Sequence, residues 1–532
     1  MSKLIQIADE PGDIKTASRV KLVSHSADQV PSLTYLISET AHGSYFSQIM
    51  STKIDLNISA RSEFDPASLS GSLKVLGEEL GYTRDSIWNT AHYYQAEMLA
   101  HEMDGRISAP MTRPGAGTTH EKASAAQICR FTGLPDHGWE IGTLSNLTDA
   151  QGQTIPIRVN EHILRHHMLV GGTTGMGKTN GLANIIKAAQ SENFATVVYD
   201  HKPDYISMDR PNPRHTEPEG IADATFWTLG PSEREDAIPI RVAACELQPE
   251  MLASTICWKN GEELMADVLG VILAGFATLK HEKSELWGWD DFTSWFGDFD
   301  DAAALASSLP FKMKINEHQF GAIGRRLRTK GRLPSWIARQ PKTKTTQWGK
   351  RDAQPSPTVD FFSSVRAGSV HVIRVDGDGG DSRSYGLFLD YALGKIAEHR
   401  RARGPKVVHV IDEAADIFLS GNTALKNLAV SSLTQHIRKG RSLKIGFVLS
   451  VQSAGDVPAE IRQNLNSIVV FKHKNPSILR EILPEQASDV FSVVNNLQRG
   501  EALVHLFGVR GLIHANMKLS PFKLYEPDEE GA

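Results

Sequence analysis

Cysteine is scarce: Cys129, Cys245 and Cys257 are the only three in a chain of 532 residues. They are odd in number and lack metal-ligand spacing. That excludes a disulfide framework and a zinc-finger site, and it points to reduced thiols in a cytosolic protein. A charge excess is also missing. The formal net charge is −5, so the field of the whole chain gives no attraction to nucleic acid, and any such contact needs a local basic surface. No apolar run reaches the ~20 residues of a membrane span. The most apolar stretch, Leu264 to Leu279, carries Asp267 and reads as a buried helix. The opening MSKLIQIADEPGD has no basic segment followed by an apolar one, so a secretory leader is not expected. A soluble, cytoplasmic protein without a membrane segment is the expectation.

Apolar residues make up 40% and charged residues 22%, the balance of a globular protein. The length suggests two or three domains. Residues 1–60 hold short β-type runs, at Val20 to Val23, Leu33 to Ile37 and Tyr45 to Met50. Such runs at close spacing predict a small barrel or sandwich. Residues 64–103 read as helical, with Leu73, Leu76, Leu80, Tyr93, Met98 and Leu99 on the periodic face. Residues 104–122 read as a loop from their Gly, Pro, Ser and Thr, and 124–159 return to short strands. A mostly β, barrel-like domain with a helical insert is therefore predicted over 1–160.

From Ile163 onward, Val- and Ile-rich strands alternate with helices. The strands run from His167 to Val170, Ala195 to Asp200, Ser369 to Val375, Val407 to Ile411, Ile445 to Val451, Ile468 to Phe471 and Ala502 to Leu506. This alternation implies an α/β domain over 161–520 with a parallel sheet covered by helices. A helical insertion over about 245–355 interrupts it, and 521–532 form a tail.

An apolar strand leads directly into GTTGMGKT, which matches G-x-x-x-x-G-K-[ST]. The candidate phosphate-binding residues are Gly172, Thr173, Thr174, Gly175, Met176, Gly177, Lys178, Thr179 and Asn180. Glycines let the backbone curl so that successive N–H groups face one anion, and the following helix adds its positive end. Lys178 reaches the outer phosphates, and the Thr179 hydroxyl is a Mg²⁺ ligand. A second strand, Val407 to Ile411, ends in Asp412-Glu413. Asp412 sits where a strand's carboxyl end meets a nucleotide, as a metal ligand, and Glu413 is placed as general base. Two surface carboxylates capping a helix are the alternative. A third strand ends at Val451, and Gln452 after it is a candidate sensor or water-positioning amide. Arg438 and Arg441 lie in the helix–turn before that strand. They either neutralise transition-state charge on the terminal phosphate or are solvated cations at a helix end. His166-His167 read as packing or solvated groups rather than metal ligands.

Together LVGGTTGMGKTN, HVIDEA, IRKGRSLKIGFVLSVQS and GEALVHL resemble the HerA branch of the FtsK–HerA superfamily of P-loop motors. The likeness covers about residues 135–525. It implies a RecA-like P-loop core, ATP with Mg²⁺, and a small barrel ahead of the motor domain. It also implies a hexameric ring that moves double-stranded DNA beside a nuclease or other effector, in DNA processing or antiviral defence. Arg438 is the first choice for an arginine finger acting in a neighbouring subunit, and Arg441 the second. The sequence departs from the family at DHKPDY, where many relatives have a turn ending in Gly-Glu-Tyr, and at Lys439, where an acidic residue is frequent. Neither departure is expected to touch the core chemistry.

For DNA, residues 325–351 hold ten Lys or Arg and no Asp or Glu, with Trp336 and Trp348 between them. They either bind phosphates, with the aromatics available for stacking, or pair with the acidic stretch Glu282 to Asp301. Lys472 and Lys474 are a second candidate. Two other functions stay open: an ATP-regulated oligomeric scaffold for an effector, and a coupling ATPase of secretion or conjugation.

Overall fold

A computed structural model describes residues 4–7, 18–24, 30–54, 92–148, 154–283, 285, 287–297, 299–308, 316–329, 333–339, 361–375, 382–419, 423–473 and 488–525. The chain divides into two compact units. One comprises Met1–Val159, Gly171–Lys178 and Ser467–Lys518, and the other Asn160–Val170, Thr179–Asn466 and Leu519–Ala532.

In the first unit, strands β1 (Leu4–Ile7), β2 (Arg19–Ser24), β3 (Tyr35–Thr40), β4 (Gly43–Ile54), β5 (His92–Met103), β6 (Arg106–Ser108) and β7 (Thr119–Lys122) form an antiparallel sheet. Its order is β2-β1-β7-β3-β4-β5-β6, and β2 also pairs with β5. That extra pairing closes six strands into a barrel, which leaves the barrel without free edges apart from the short β6 flap. Leu22, Leu36, Ile49, Ala96 and Met98 fill its interior.

Three expectations fail here. His92–Met103 is a strand, not a helix. Its buried residues Tyr94, Ala96, Met98 and Ala100 alternate with partly exposed ones at period two. Its Tyr-Met-Leu content also fits a helix, and the tertiary pairing with β2 and β4 decides the matter. The predicted loop over 104–122 holds β6 and β7. Residues 125–132 are a helix, started by a Ser124/Gln127 capping box. Leu73, Leu76 and Leu80 lie outside the described residues.

This unit also holds an antiparallel run in the order β19 (Ser467–Phe471), β20 (Glu501–His505), β21 (Ile513–Met517), β8 (Trp139–Thr148), β9 (Thr154–Val159). Ile468 to Phe471 and Ala502 to Leu506 were expected among the parallel strands. They pair antiparallel instead, and β20 is joined to β21 by a short hairpin, a connection that only antiparallel neighbours allow.

In the second unit the strand order is β13 (Ile238–Pro239), β12 (Ala224–Thr228), β16 (Val370–Arg374), β11 (Ala195–Asp200), β17 (Val407–Ile411), β18 (Ile445–Val451), β10 (Met168–Gly171). The pairs from β13 through β18 are all parallel. Every residue of β11, β16, β17 and β18 is buried, as strands covered on both faces must be. Registers such as Tyr199↔Ile411 and Ile411↔Leu449 bring the carboxyl ends of β11, β17 and β18 level.

Helices Pro249–Ile256, Glu263–Glu282, Trp289–Trp295, Phe299–Ser308 and Glu317–Arg328 follow β13 in this unit. Glu263–Glu282 is long and apolar enough by length and composition to cross a membrane. In this fold, Val268, Leu269, Ile272, Leu273 and Phe276 are buried.

The basic stretch does not present both tryptophans to a ligand. Trp336 is fully buried, edge-on to Phe388, and so cannot stack on a base. Arg326 pairs with Glu262 at 2.9 Å, and Arg339 with Asp290 at 3.4 Å. The second pair ties the basic segment to the acidic one. Trp348 and Lys474 lie outside the described residues.

Candidate active site

After β10 the chain turns through Gly172 to Gly177 into helix Lys178–Ser191. Gly172 has φ +147°, and a Cβ there would stand 2.7 Å from the Phe471 Cβ. Gly177 has φ +114°, and a Cβ there would stand 3.3 Å from the Phe471 ring. Glycine is required at both positions because the loop lies flat on that phenylalanine. The Thr173 N–H and hydroxyl both donate to the Lys472 carbonyl, at 3.0 and 3.1 Å. The Gly500 N–H donates to the Met176 carbonyl at 3.2 Å. These bonds fix the outside of the loop. The N–H groups of Gly175, Met176 and Gly177 find no backbone acceptor among the described residues. Lys178 Nζ donates to the Gly172 carbonyl at 2.7 Å, which folds the ammonium back over its own loop. Free amides, a helix start and a lysine in one concavity form a cradle for an anion. Thr174 and Gly175 are exposed at its rim. Thr173 supplies no amide to this cradle, since Lys472 takes its N–H.

In the second unit, Thr179, the first residue after Lys178, donates its hydroxyl to Asp204 Oδ2 at 3.3 Å. Asp204 belongs to DHKPDY, which begins at the end of β11. Asp200 is fully buried there, and its oxygens accept the N–H groups of Asp204 and Tyr205, each at 3.3 Å. Those bonds hold the turn closed. Arg374, at the end of β16, donates to the carbonyl of His201 and pairs with Glu233 at 3.2 Å. The expectation that DHKPDY stays clear of the core chemistry is therefore overturned. The turn delivers Asp200, Lys202 and Asp204 to the carboxyl ends of the strands. A readable signal was present: three charged residues within five positions, at the end of a fully buried strand.

Asp412 and Glu413 follow β17. Asp412 is buried, and its carboxyl accepts the Glu413 N–H at 3.0 Å. Burial, and then the neighbouring Asp204 carboxylate, push its pKa up to about 6. Burial also raises Asp204, and burial with Asp412 and Asp204 nearby raises Asp200 far above the carboxylate range. Glu413 has φ +46°, a left-handed conformation that costs a non-glycine residue roughly 1–3 kcal/mol. In that conformation its two oxygens diverge. Gln452 Nε2 donates to Oε1 at 2.8 Å, and Lys202 Nζ lies 3.2 Å from Oε2. Thr179, Asp412, Glu413 and Gln452 thus lie together near the carboxyl ends of β11, β17 and β18.

Asn180 does something else with its side chain: its Oδ1 accepts the Ser520 N–H at 2.8 Å. Arg438 and Arg441 are exposed on helix Thr423–Leu443, which leads into the first residue of β18. Gln452 is at the other end of that strand, seven residues or roughly 20 Å away. No hydrogen bond or ion pair joins either arginine to Glu413 of its own chain among the described residues. His167 is buried edge-on to Phe447, and burial lowers its pKa to about 4.

The donor set fits a divalent cation. Burial raises Asp204, and burial with Asp204 nearby raises Asp412, so a cation beside the Thr179 hydroxyl would relieve both carboxyl groups. No group of three or more His, Cys, Asp or Glu residues placed to hold a metal occurs among the described residues. A six-coordinate ion at Thr179 would therefore draw most ligands from water and phosphate oxygens, the usual habit of Mg²⁺.

Residues 139–287 match the family described as Helicase HerA, central domain. The chain is 20% identical over 437 residues to the DNA double-strand break repair helicase HerA of Sulfurisphaera tokodaii, covering 77% of this chain and 75% of that one. The chain is thus similar to the HerA-type P-loop ATPases, most directly over residues 139–287. The enzyme of the same description from Sulfolobus acidocaldarius is 19% identical and aligns over 76% of this chain and 74% of its own. Among solved structures, the bacterial conjugative coupling protein TrwBdeltaN70, in complex with sulphate, superposes with a TM-score of 0.51 at 15% identity. It covers 76% of this chain and 95% of that chain. The plasmid coupling protein TrwB in complex with ADP and Mg²⁺ matches at a TM-score of 0.50. At such identities the structural likeness shows the fold of the ATPase core and no more.

Proposed function

We propose that this HerA-type ATPase binds ATP with Mg²⁺ and works as a ring motor on double-stranded DNA, beside a nuclease or other effector. One observation carries the reading: Thr179, Asp204, Asp412, Glu413 and Gln452 converge at the carboxyl ends of parallel strands, in a chain whose curated relatives are DNA double-strand break repair helicases.

Bound Mg²⁺ supplies charge neutralisation on the outer phosphates. The rest is the chain's own work. Amides of Gly175 to Gly177 and the Lys178 ammonium hold the phosphates. Thr179 and Asp412 hold the metal, with Asp204 orienting the Thr179 hydroxyl. Glu413 takes the proton of the attacking water while Gln452 fixes the carboxylate's direction. Water oxygen bonds to the terminal phosphorus, and the bond to the bridging oxygen breaks. ADP and inorganic phosphate leave.

Arg438 and Arg441 are exposed near the amino end of β18, whereas Glu413 and Gln452 lie at the carboxyl ends of their strands, so as fingers they serve the nucleotide of an adjacent subunit. This supports a closed oligomer, with a hexamer as the family expectation. Arg438→Ala should abolish hydrolysis and spare ATP binding. Mixing it with Lys178→Ala subunits should restore part of the activity, because one intact finger then faces one intact site. No recovery in mixed rings that still assemble would reject the trans role.

For the motor itself, ATP turnover is measured with and without linear duplex DNA. Strong stimulation, lost in Lys178→Ala and Glu413→Gln, supports DNA translocation. ATP-driven assembly with no response to DNA makes the chain a scaffold for its effector.

A further inference from the structure

Glu413 presents a chemical difficulty. A general base must offer a basic oxygen to water, yet both of its oxygens are occupied. Gln452 donates to Oε1 at 2.8 Å, and the Lys202 ammonium stands 3.2 Å from Oε2. The amide orients the carboxylate without quenching it. The ammonium instead stands on the oxygen that would otherwise receive the proton of the water. Glu413 cannot escape by rotating freely: its backbone is held at φ +46° and its side chain is largely buried. Lys202 is the movable partner. Its side chain is half exposed, on four rotatable carbons, in a turn fixed behind it by Asp200 and Arg374.

We propose that Lys202 senses the terminal phosphate: it leaves Glu413 for the γ-phosphate of bound ATP, and in leaving uncovers Oε2 for the attacking water. This rests on the ATPase reading above. The driving force is charge. The γ-phosphate carries more negative charge than one carboxylate and offers three acceptor oxygens. An ammonium exchanging one anion for another also gives up no ion pair overall. ADP ends one phosphate short, so Lys202 stays on Glu413. The base is therefore masked unless a hydrolysable nucleotide is present. The same ammonium then neutralises charge on the transferring phosphoryl group. Asp204, two residues on, meets Thr179, so the one turn places a metal-side carboxylate and a phosphate-side cation together.

The test is nucleotide binding by the full-length protein, with ATP measured on a non-hydrolysable analogue and ADP alongside, in Mg²⁺. Lys202→Met should lower affinity for the ATP analogue about tenfold or more, the scale of a lost charge-assisted hydrogen bond, and leave ADP affinity within twofold. Turnover should fall with it, and Lys202→Arg should recover part of both. Glu413→Gln removes the competitor for Lys202. It should therefore raise the ATP-analogue to ADP affinity ratio in the native background and leave it unchanged in the Lys202→Met background. Equal loss for both nucleotides, or faster turnover in Lys202→Met, would make Lys202 only a tether of Glu413 and overturn the proposal. So would an unchanged ratio. A native protein that binds neither nucleotide would instead reject the ATPase reading, a different failure from any of these.

Discussion

The phosphate loop and the acid pocket are built on opposite plans. The loop is a backbone device. Its specificity lies in where amides point, its glycines are set by contact with Phe471, and its bonds to Lys472 and Gly500 are main-chain except for one from the Thr173 hydroxyl. The pocket is a side-chain device, in which Asp200, Lys202, Asp204, Asp412, Glu413 and Gln452 come from the ends of three different strands. A backbone device must be contiguous and tolerates no added atoms. A side-chain device is scattered through the sequence and holds unbalanced charge until its ligand arrives. The two should therefore fail differently.

Removing chemistry gives the largest expected difference. Glu413→Gln should reduce turnover by about 10²–10⁴-fold, the usual worth of a general base, with nucleotide binding kept. Lys178→Ala should lose binding itself. Equilibrium nucleotide binding beside steady-state phosphate release separates the two. Loss of binding in both would mean that Glu413 acts in assembling the pocket rather than as a base.

The same contrast explains what the sequence revealed. The loop was legible because its physics demands a fixed spacing of Gly, Lys and Thr. Asp412-Glu413 and Gln452 were legible because each follows a Val/Ile run buried on both faces. Lys202 and Asp204 are hidden in DHKPDY, because only the register of β11 with β17 brings that turn level with Asp412. The barrel was legible where its strands are β-branched. It was misread at His92–Met103, whose Tyr, Met and Leu suit either structure until closure with β2 fixes it. The switch to antiparallel pairing at β19 is a matter of connection geometry, which apolar runs do not encode.

The loop should break sterically. Gly172→Ala puts a methyl 2.7 Å from the Phe471 Cβ, at a φ that side chains avoid. The combined cost is on the order of 3 kcal/mol. It should appear as a lower unfolding midpoint even without nucleotide. An unshifted midpoint would show that the loop gives way freely.

The pocket should break electrostatically, and with pH. The folded pKa of Asp412, about 6, lies above its ordinary value of 3.8. Between those values the folded state binds more protons than the unfolded one, so this group's contribution to stability is lost as pH rises from about 4 through about 6. Roughly 2–3 kcal/mol is at stake. Asp412→Asn should therefore stabilise the nucleotide-free protein at pH 7.5 and have little effect at pH 4. Stabilisation of the native protein by Mg²⁺ with nucleotide should grow across the same interval and be absent in the variant. A pH-independent difference between the two proteins would remove burial and like charge as the cause.

Asn180 gives the smallest effect and the sharpest boundary between the two plans. It stands inside the contiguous motif, but its side chain belongs to the second unit's own framework, holding the Ser520 N–H at 2.8 Å while Asn212 Nδ2 holds the Ser520 carbonyl at 2.8 Å. Tyr525, further along the same segment, donates its N–H to the Asp204 carbonyl at 3.0 Å. Asn180→Ala should cost about 1 kcal/mol, the net worth of one hydrogen bond, in thermal unfolding. It should leave affinity for ATP and ADP within about twofold of the native protein. A larger and equal loss of affinity for both nucleotides would place the Asn180 amide among the phosphate-binding groups, and the loop would then be a side-chain device at its last position.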